Sequence, residues 1–312
     1  MRTLTIPYSG QLLVAHLAAY GLGFVLDAGG EEVFVGHDPY SLEMEPQVST
    51  AASFDRIAEC VRNAAAECQE PIEADLVPGK TGNDRRPVVW ARATAMARAT
   101  DALRLREGIL DDLERRAARV AAGTIAGLGA PAAWLGDHPE RGASRLDGVL
   151  GNHTSDFVRG VMRRTRRSAL SAAADGLEVE WMTGETTVEG DTDRTGWVPP
   201  GTKIDPLHQW LAALGLSQLP VGLSADGPAT TPCHWRDGRE RGATLPILSR
   251  PVSMPRLRAL LQLPDLTLPA AASVAARLRA LGVHELVSFS IVDRSTPQSV
   301  AFTFTRGNRS EL

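Results

Sequence analysis

His16-Leu17-Ala18-Ala19-Tyr20-Gly21-Leu22 stands near the start of the chain, and Trp210-Leu211-Ala212-Ala213-Leu214-Gly215-Leu216 nearly repeats it past the middle. In each copy an apolar, helix-forming run meets a Gly-Leu pair. A glycine there suits a helix C-cap, where the backbone takes a positive φ that other residues resist. The expectation is two amphipathic helices that stop at Gly21 and Gly215, with Leu17, Leu22, Leu211 and Leu216 buried beside them. Outward from the first copy lie a strand-like Thr3-Leu4-Thr5-Ile6 and a turn through Pro7, Ser9 and Gly10. The second copy follows Asp205-Pro206 and runs into an extended Gln218-Leu219-Pro220-Val221.

Other elements follow from local signals. Glu32–Val35 reads as a short strand ending at Gly36. Ser53 caps a helix through about Cys68 that Pro71 closes. Helical patterns cover about Val88–Arg106 and Ile109–Ala122, with Gly108 between them. Asp111, Asp112, Glu114, Arg115 and Arg116 form a charge-balanced solvated face on the second. Leu128–Ala143, rich in Gly, Pro and Ala, marks a boundary between an N-terminal lobe, 1–143, and a C-terminal lobe, 144–312. A helix runs from about Ser155 to Ala174, Leu177–Met182 alternates as a strand, and Thr183–Gly201 is a polar loop. The second echo helix spans about Pro206–Leu214, and a basic loop, Cys233–Arg241, precedes an extended Leu245–Leu248. Ser253 caps a helix through about Leu261, and Ala270–Leu281 forms another. Val287, Phe289 and Ile291 then alternate toward a turn at Ser295–Gln298, and Val300, Phe302 and Phe304 alternate back, which predicts a β-hairpin. Locally paired strands among helix clusters indicate an α+β fold with small antiparallel sheets.

Composition bounds the function. At 312 residues, 43% hydrophobic and 22% charged, the chain is long enough and apolar enough for a substantial core. Cys60, Cys68 and Cys233 are too few and too scattered for a disulfide framework or a zinc site, which fits a reducing cytoplasm. The apolar run Leu12–Leu26 is interrupted by His16, Gly21 and Gly23 and is too short to span a bilayer, so neither secretion nor membrane insertion is expected.

Candidate chemistry is sparse. Gly79-Lys80-Thr81 has the end of a phosphate-binding loop, but Ala74 stands where that loop needs its first glycine, and Glu73, Asp75 and Pro78 argue against a preceding strand. An exposed basic loop is the simpler reading. His16 is a helix-face residue and His138 a turn residue. Asn152-His153-Thr154 precedes a helix, where it caps the helix or touches a ligand. No histidine pair has metal-ligand spacing, and neither a nucleophile elbow nor a dinucleotide fingerprint is present. No catalytic residue, metal or cofactor is assigned.

The arginines carry a stronger signal. Between Asp156 and Asp175 there is no acidic residue, while Arg159, Arg163, Arg164, Arg166 and Arg167 all fall there. Arg159, Arg163, Arg166 and Arg167 recur at helical spacing and line one face. Like charges on one stripe repel, so the stripe answers an anion, either nucleic-acid phosphate or an acidic partner, unless distant carboxylates neutralise it. Lys80, Asn83, Asn152, Arg236 and Arg239 are further candidates for base or backbone contacts, with Arg85, Arg86 and Arg241 extending the surface. Changing the four stripe arginines to Gln is expected to weaken binding at every sequence and leave the fold intact. Aromatic residues, at 5% of the chain, argue against extensive base stacking.

Thr5-Ile6-Pro7, Gly10-Gln11-Leu12-Leu13 and Leu17-Ala18-Ala19-Tyr20-Gly21-Leu22 resemble the openings of large-subunit-like proteins of type I-G (formerly I-U) CRISPR systems. Trp210–Val221, followed after a loop by Leu245-Pro246-Ile247-Leu248-Ser249-Arg250-Pro251-Val252-Ser253, resembles their second signature. The likeness covers about the first thirty residues and Asp205–Leu260. It departs at Tyr8-Ser9, where the family usually has Asn-Pro, and in lacking an aromatic residue near Ile247. It implies a non-enzymatic subunit of an RNA-guided surveillance (Cascade) complex. Its partners would be guide RNA, target DNA, other Cascade subunits and a recruited helicase-nuclease, with a part in recognising the target's flanking motif. A small-molecule or nucleotide-processing enzyme using Gly79–Thr81 and His153 is the alternative, and a scaffold whose basic face meets an acidic protein is a third.

Overall fold

The computed structural model describes residues 1–78, 85–88, 96–128, 161–175, 197–219, 222–224, 227–229, 234–237, 240–263, 265–266, 272–293 and 302–312. In the N-terminal part, β1 (Arg2–Thr5) leads to α1 (Leu13–Ala28), then to a hairpin of β2 (Val33–His37) and β3 (Pro46–Thr50). Next come α2 (Phe54–Glu73), a small pair β4 (Asp75–Pro78) and β5 (Arg85–Pro87), α3 (Met96–Arg115) and α4 (Arg119–Gly127). Beyond them lie α5 (Arg163–Asp175), α6 (Pro206–Leu216), the pair β6 (Gly222–Ser224) and β7 (Gly227–Ala229), then β8 (His234–Asp237), β9 (Glu240–Leu248) and β10 (Val252–Ser253). The chain continues through α7 (Met254–Leu261), α8 (Ala272–Ala280), β11 (Val283–Asp293), β12 (Phe302–Phe304) and β13 (Asn308–Glu311). The fold is α+β.

One antiparallel sheet has the order β1-β3-β2-β10 and stacks Leu4, Val48, Val35 and Val252 across it in register. The other has the order β12-β11-β9-β8, with β13 also on β11. The two strands of the expected hairpin pair, with Ile291 opposite Phe304, while its turn at Ser295–Gln298 lies outside the described residues. The lobe boundary at 143/144 lies outside the described residues. Elements from either side of it share a sheet, through β10 on β2, and a single hydrophobic core.

The two echo segments pack against each other, and their glycines are not caps. α1 continues past Gly21 to Ala28 and ends at Gly29 with φ −73°, while Gly215 lies within α6. Among the described glycines, positive φ occurs at Gly30, Gly201 and Gly282. The reason for Gly21 and Gly215 is proximity. A Cβ on Gly21 would lie 1.8 Å from the Leu211 carbonyl oxygen, and one on Gly215 would lie 1.8 Å from that of Leu17. Each glycine therefore admits the backbone of the other helix. Neither helix is amphipathic: α1 is buried without interruption from Leu13 to Leu26, and α6 from Leu207 to Leu216, as expected of helices enclosed by other elements. α4 approaches the end of α6 in the same way, since a Cβ on Gly127 would meet Ser217 O at 1.9 Å.

Of the two expected caps, Ser53 makes its side-chain bond, whereas Ser253 stands at the start of α7 without one. Ser53 Oγ accepts the Arg56 N–H at 3.2 Å, and Asp205 Oδ1 accepts that of Leu207 at 2.7 Å. The Tyr8 hydroxyl accepts the Asp205 N–H at 2.9 Å, joining the first turn to the start of α6. Pro71 does not close α2. It forfeits only its own N–H bond, and burial of Pro71 and Ile72 carries the helix to Glu73. Gly108 likewise sits inside α3. The break falls instead around Ala117, at φ 55°. Arg106 spans this corner, donating from Nη2 to Ile125 O at 2.7 Å and so satisfying the end of α4. The expected loop Cys233–Arg241 contains the β8–β9 hairpin, with Arg236 opposite Arg241.

A buried histidine pair joins the two sheets. The Leu248 N–H donates to His37 Nδ1 at 3.1 Å, which leaves the proton of His37 on Nε2. That nitrogen donates to His16 Nδ1 at 3.3 Å, and His16 Nε2 donates to Gly10 O at 2.7 Å. Both rings are neutral in this arrangement, because an added proton would set two donors facing each other. Burial lowers the His16 pKa to about 4, against a smaller opposing effect of the Gly10 carbonyl. His37 is lowered well below its ordinary value by burial, then by His16 and Arg309.

An unfolded histidine takes up its proton near pH 6.5, the ordinary value, so the unfolded chain binds more protons than the folded one between there and about pH 4. Stability is fully present above that window and is lost as pH falls through it, by up to ~1.4 kcal/mol per pH unit for each histidine. The Glu285 carboxylate, held below its ordinary 4.5 first by its hydrogen bond to Arg309, adds to the loss in the same direction but only at the acid end of the window, as its unfolded form begins to protonate. Urea unfolding from pH 7 to pH 5.5, above the range in which an unfolded carboxylate protonates, reads the histidines; a flat stability profile there would refute the assignment.

Candidate nucleic-acid interface

α5 packs between α2 and α6, and its buried positions are set by helical period: Thr165, Arg166, Ala169, Ala172 and Ala173 turn inward. Val161 and Met162 extend the same apolar side just ahead of it. Thr165 Oγ donates back to Val161 O at 2.8 Å, so its hydroxyl is satisfied inside the core.

This periodicity divides the arginine stripe. Arg166 lies on its inner edge with 6% of its side chain exposed, forked onto Glu73 of α2 through Nε and, at 3.3 Å, through Nη2. Glu73 is itself 12% exposed, so the pair is largely withdrawn from solvent. The stripe is therefore not one solvated face of four guanidinium groups; its inner member is neutralised by a carboxylate distant in sequence. Arg163 is 54% exposed and lies 3.7 Å from Glu73 Oε2 by its Nε. Arg167, one turn on, faces solvent, and Arg164 is half-buried.

An open groove of about 570 Å³ runs along this junction, lined by Ala66, Gln69, Glu70, Glu73, Ala74 and Arg163. Below it Cys68 is buried, and desolvation, then Glu67, raises its thiol pKa far above the ordinary range. Cys60 is buried as well. Both are packing residues.

Of the other sequence candidates, Lys80, Asn83, Asn152, Arg159 and Arg239 lie outside the described residues, as do His138, His153, Cys233 and the Gly79–Thr81 loop. Arg236 is placed by its backbone on β8. The structure thus brings Arg163, Arg164 and Arg167 together on α5 and removes Arg166 from the surface. The partner that removes it, Glu73, carried no local signal, since it lies 93 residues away. Among the described residues no cluster of three or more His, Cys, Asp or Glu side chains is placed to hold a metal ion, and no helix is long and apolar enough to cross a membrane. Comparison with protein-family models, with curated proteins and with solved structures finds no match to this chain.

Proposed function

We propose that this protein is a non-catalytic, nucleic-acid-binding subunit of a cytoplasmic, RNA-guided CRISPR surveillance complex. The observation that carries the reading is the outer face of α5, where Arg163 and Arg167 stand one turn apart in solvent. Guanidinium groups so spaced suit successive phosphates, through forked hydrogen bonds and release of counterions. The likeness to large-subunit-like CRISPR proteins supplies the biological setting. The echo segments within that likeness, Leu17–Leu22 and Trp210–Leu216, meet at the α1–α6 crossing, so they act as scaffold and leave the binding of nucleic acid to the surface. In this reading, guide RNA pairs with the target while the protein fixes backbone geometry and helps read the flanking motif. Other subunits complete the channel, and a separate helicase-nuclease is recruited.

The test is salt-dependent binding by purified protein. Arg163→Gln with Arg167→Gln should weaken duplex binding at every sequence and flatten the log–log salt slope by about 0.9 for each phosphate that is no longer neutralised. The melting temperature should change little, because Arg167 faces solvent and half-exposed Arg163 makes only a long 3.7 Å approach to Glu73, which keeps its fork from Arg166. Unchanged affinity and slope in the double variant would remove α5 from the interface. Nucleotide hydrolysis abolished by Lys80→Ala would replace the binding subunit with an enzyme.

A further inference from the structure

A second surface lies at one end of the two sheets, around the β2–β3 turn, residues 38–45. The turn is held from several sides. The Tyr40 N–H donates to Asp38 Oδ1 at 2.9 Å, the Glu43 N–H to Ser41 Oγ at 3.1 Å, and the Gly10 N–H to Glu43 O at 2.8 Å. From β13, Arg309 Nη1 donates to Leu42 O at 2.8 Å while its other nitrogens grip Glu285. A Cβ on Gly10 would lie 2.3 Å from Met44 O, so the approach is as close as backbone allows. This frame holds Tyr40 96% exposed and Leu42 93% exposed. Every other aromatic side chain among those described is buried or half-buried.

Two basic groups without carboxylate partners lie where β9 ends and β11 begins. β10 lies on β2, Pro251 packs against Gly36, and Leu248 bonds His37, so Arg250 leaves the sheet beside the base of the same turn. A Cβ on Gly282 would lie 3.7 Å from Arg250 Nε, and Arg256 Nη2 donates to Leu281 O at 3.0 Å. Two exposed guanidinium groups from different elements thus converge on the Leu281-Gly282 corner. Among the described residues no carboxylate pairs with either.

We propose that this face binds single-stranded nucleic acid, with Tyr40 stacking on an unpaired base, Leu42 against its edge, and Arg250 and Arg256 on adjacent phosphates. The proposal rests on the nucleic-acid reading above and adds to it a second binding surface with a preference for unpaired strands. A ring on a rigid turn loses little freedom on stacking, and arginines without carboxylate partners break no ion pair to meet phosphate. Near the turn, Asp38 is engaged by the Tyr40 N–H, and Glu43 lies 3.8 Å from Arg306, so the phosphates belong on the Arg250 side. A duplex hides its base faces, so Tyr40 adds affinity only for unpaired bases.

The experiment compares fluorescein-labelled oligo-dT and oligo-U of about 20 nucleotides with a duplex of equal length, a span that covers one binding site. Tyr40→Ala should weaken binding to both single strands about tenfold, with Tyr40→Phe near the parent and duplex affinity unchanged. Arg250→Gln with Arg256→Gln should flatten the single-strand salt slope by about 1.4. Both sites are exposed, so the melting temperature should not move. If Tyr40→Ala and the double arginine variant bind single strands like the parent while the α5 variant is impaired, this face carries no strand and the functional reading stands. If the parent binds neither single strands nor duplex at physiological salt, both fall.

Discussion

Gly21→Ala and Gly215→Ala are each expected to destabilise the protein by ~3 kcal/mol or more, at or beyond the upper end of ordinary overpacking. A single methyl at either position would sit 1.8 Å from a carbonyl oxygen of the facing helix, where ordinary packing needs 3.4 Å or more. No rotamer relieves this, because both atoms belong to the main chain and its immediate substituent. The helices must part, and the packing around the crossing loosens with them. Against a typical total stability of about 5–15 kcal/mol, that is a large share. The double variant should cost less than the sum, since the first Cβ already makes the space that the second needs. Gly30→Ala is the control. At φ +85° with nothing within 4 Å, it bears only the strain of left-handed backbone, about 1–2 kcal/mol. Chemical denaturation ranks the three, and Gly21 and Gly215 variants as stable as the parent would show that the crossing tolerates a wider spacing.

What the sequence disclosed was mostly local. Ser53 as a cap, the alternation that builds β11 and β12, and the α+β class all depend on neighbours a few residues apart. The echo was visible but its glycines were misassigned, because an apolar run meeting Gly-Leu suits a helix end and a helix crossing equally. The distinguishing sign was present: neither run has a polar face, and a helix without one is enclosed by other elements. Pro71 and Gly108 were read as breaks, yet tertiary burial of the surrounding turns outweighs a lost bond or a poor propensity. The stripe on α5 was correct as a spacing and incomplete as a surface, since period alone does not say which edge of a stripe meets the core. Tyr40 lay beyond sequence reasoning altogether. Nothing in Asp38-Pro39-Tyr40 distinguishes a ring folded back onto a hairpin from one held out by Gly10 and Arg309.

Arg166→Gln and Glu73→Gln are each expected to cost about 3–5 kcal/mol, because either leaves a buried charge without its counterpart. The burial matters: with side-chain exposures of 6% and 12%, water offers little replacement for the missing partner. Arg163 moderates the loss in one direction only, since its Nε already lies 3.7 Å from Glu73 and can follow that carboxylate when Arg166 is removed. Glu73→Gln should therefore be the more damaging of the two. Replacing both, as Arg166→Met with Glu73→Leu, should recover most of the stability, because a buried ion pair exchanged for apolar side chains of similar size is often neutral. A surface arginine that binds phosphate behaves oppositely: its Gln variant keeps the melting temperature and loses affinity. If Arg166→Gln proved as stable as the parent yet bound nucleic acid more weakly, the pair with Glu73 would not be the structural element argued here. With the pair intact, replacing all four stripe arginines at once cannot isolate binding, because the loss at Arg166 is a loss of the α2–α5 junction on which the exposed Arg163 and Arg167 depend for their spacing.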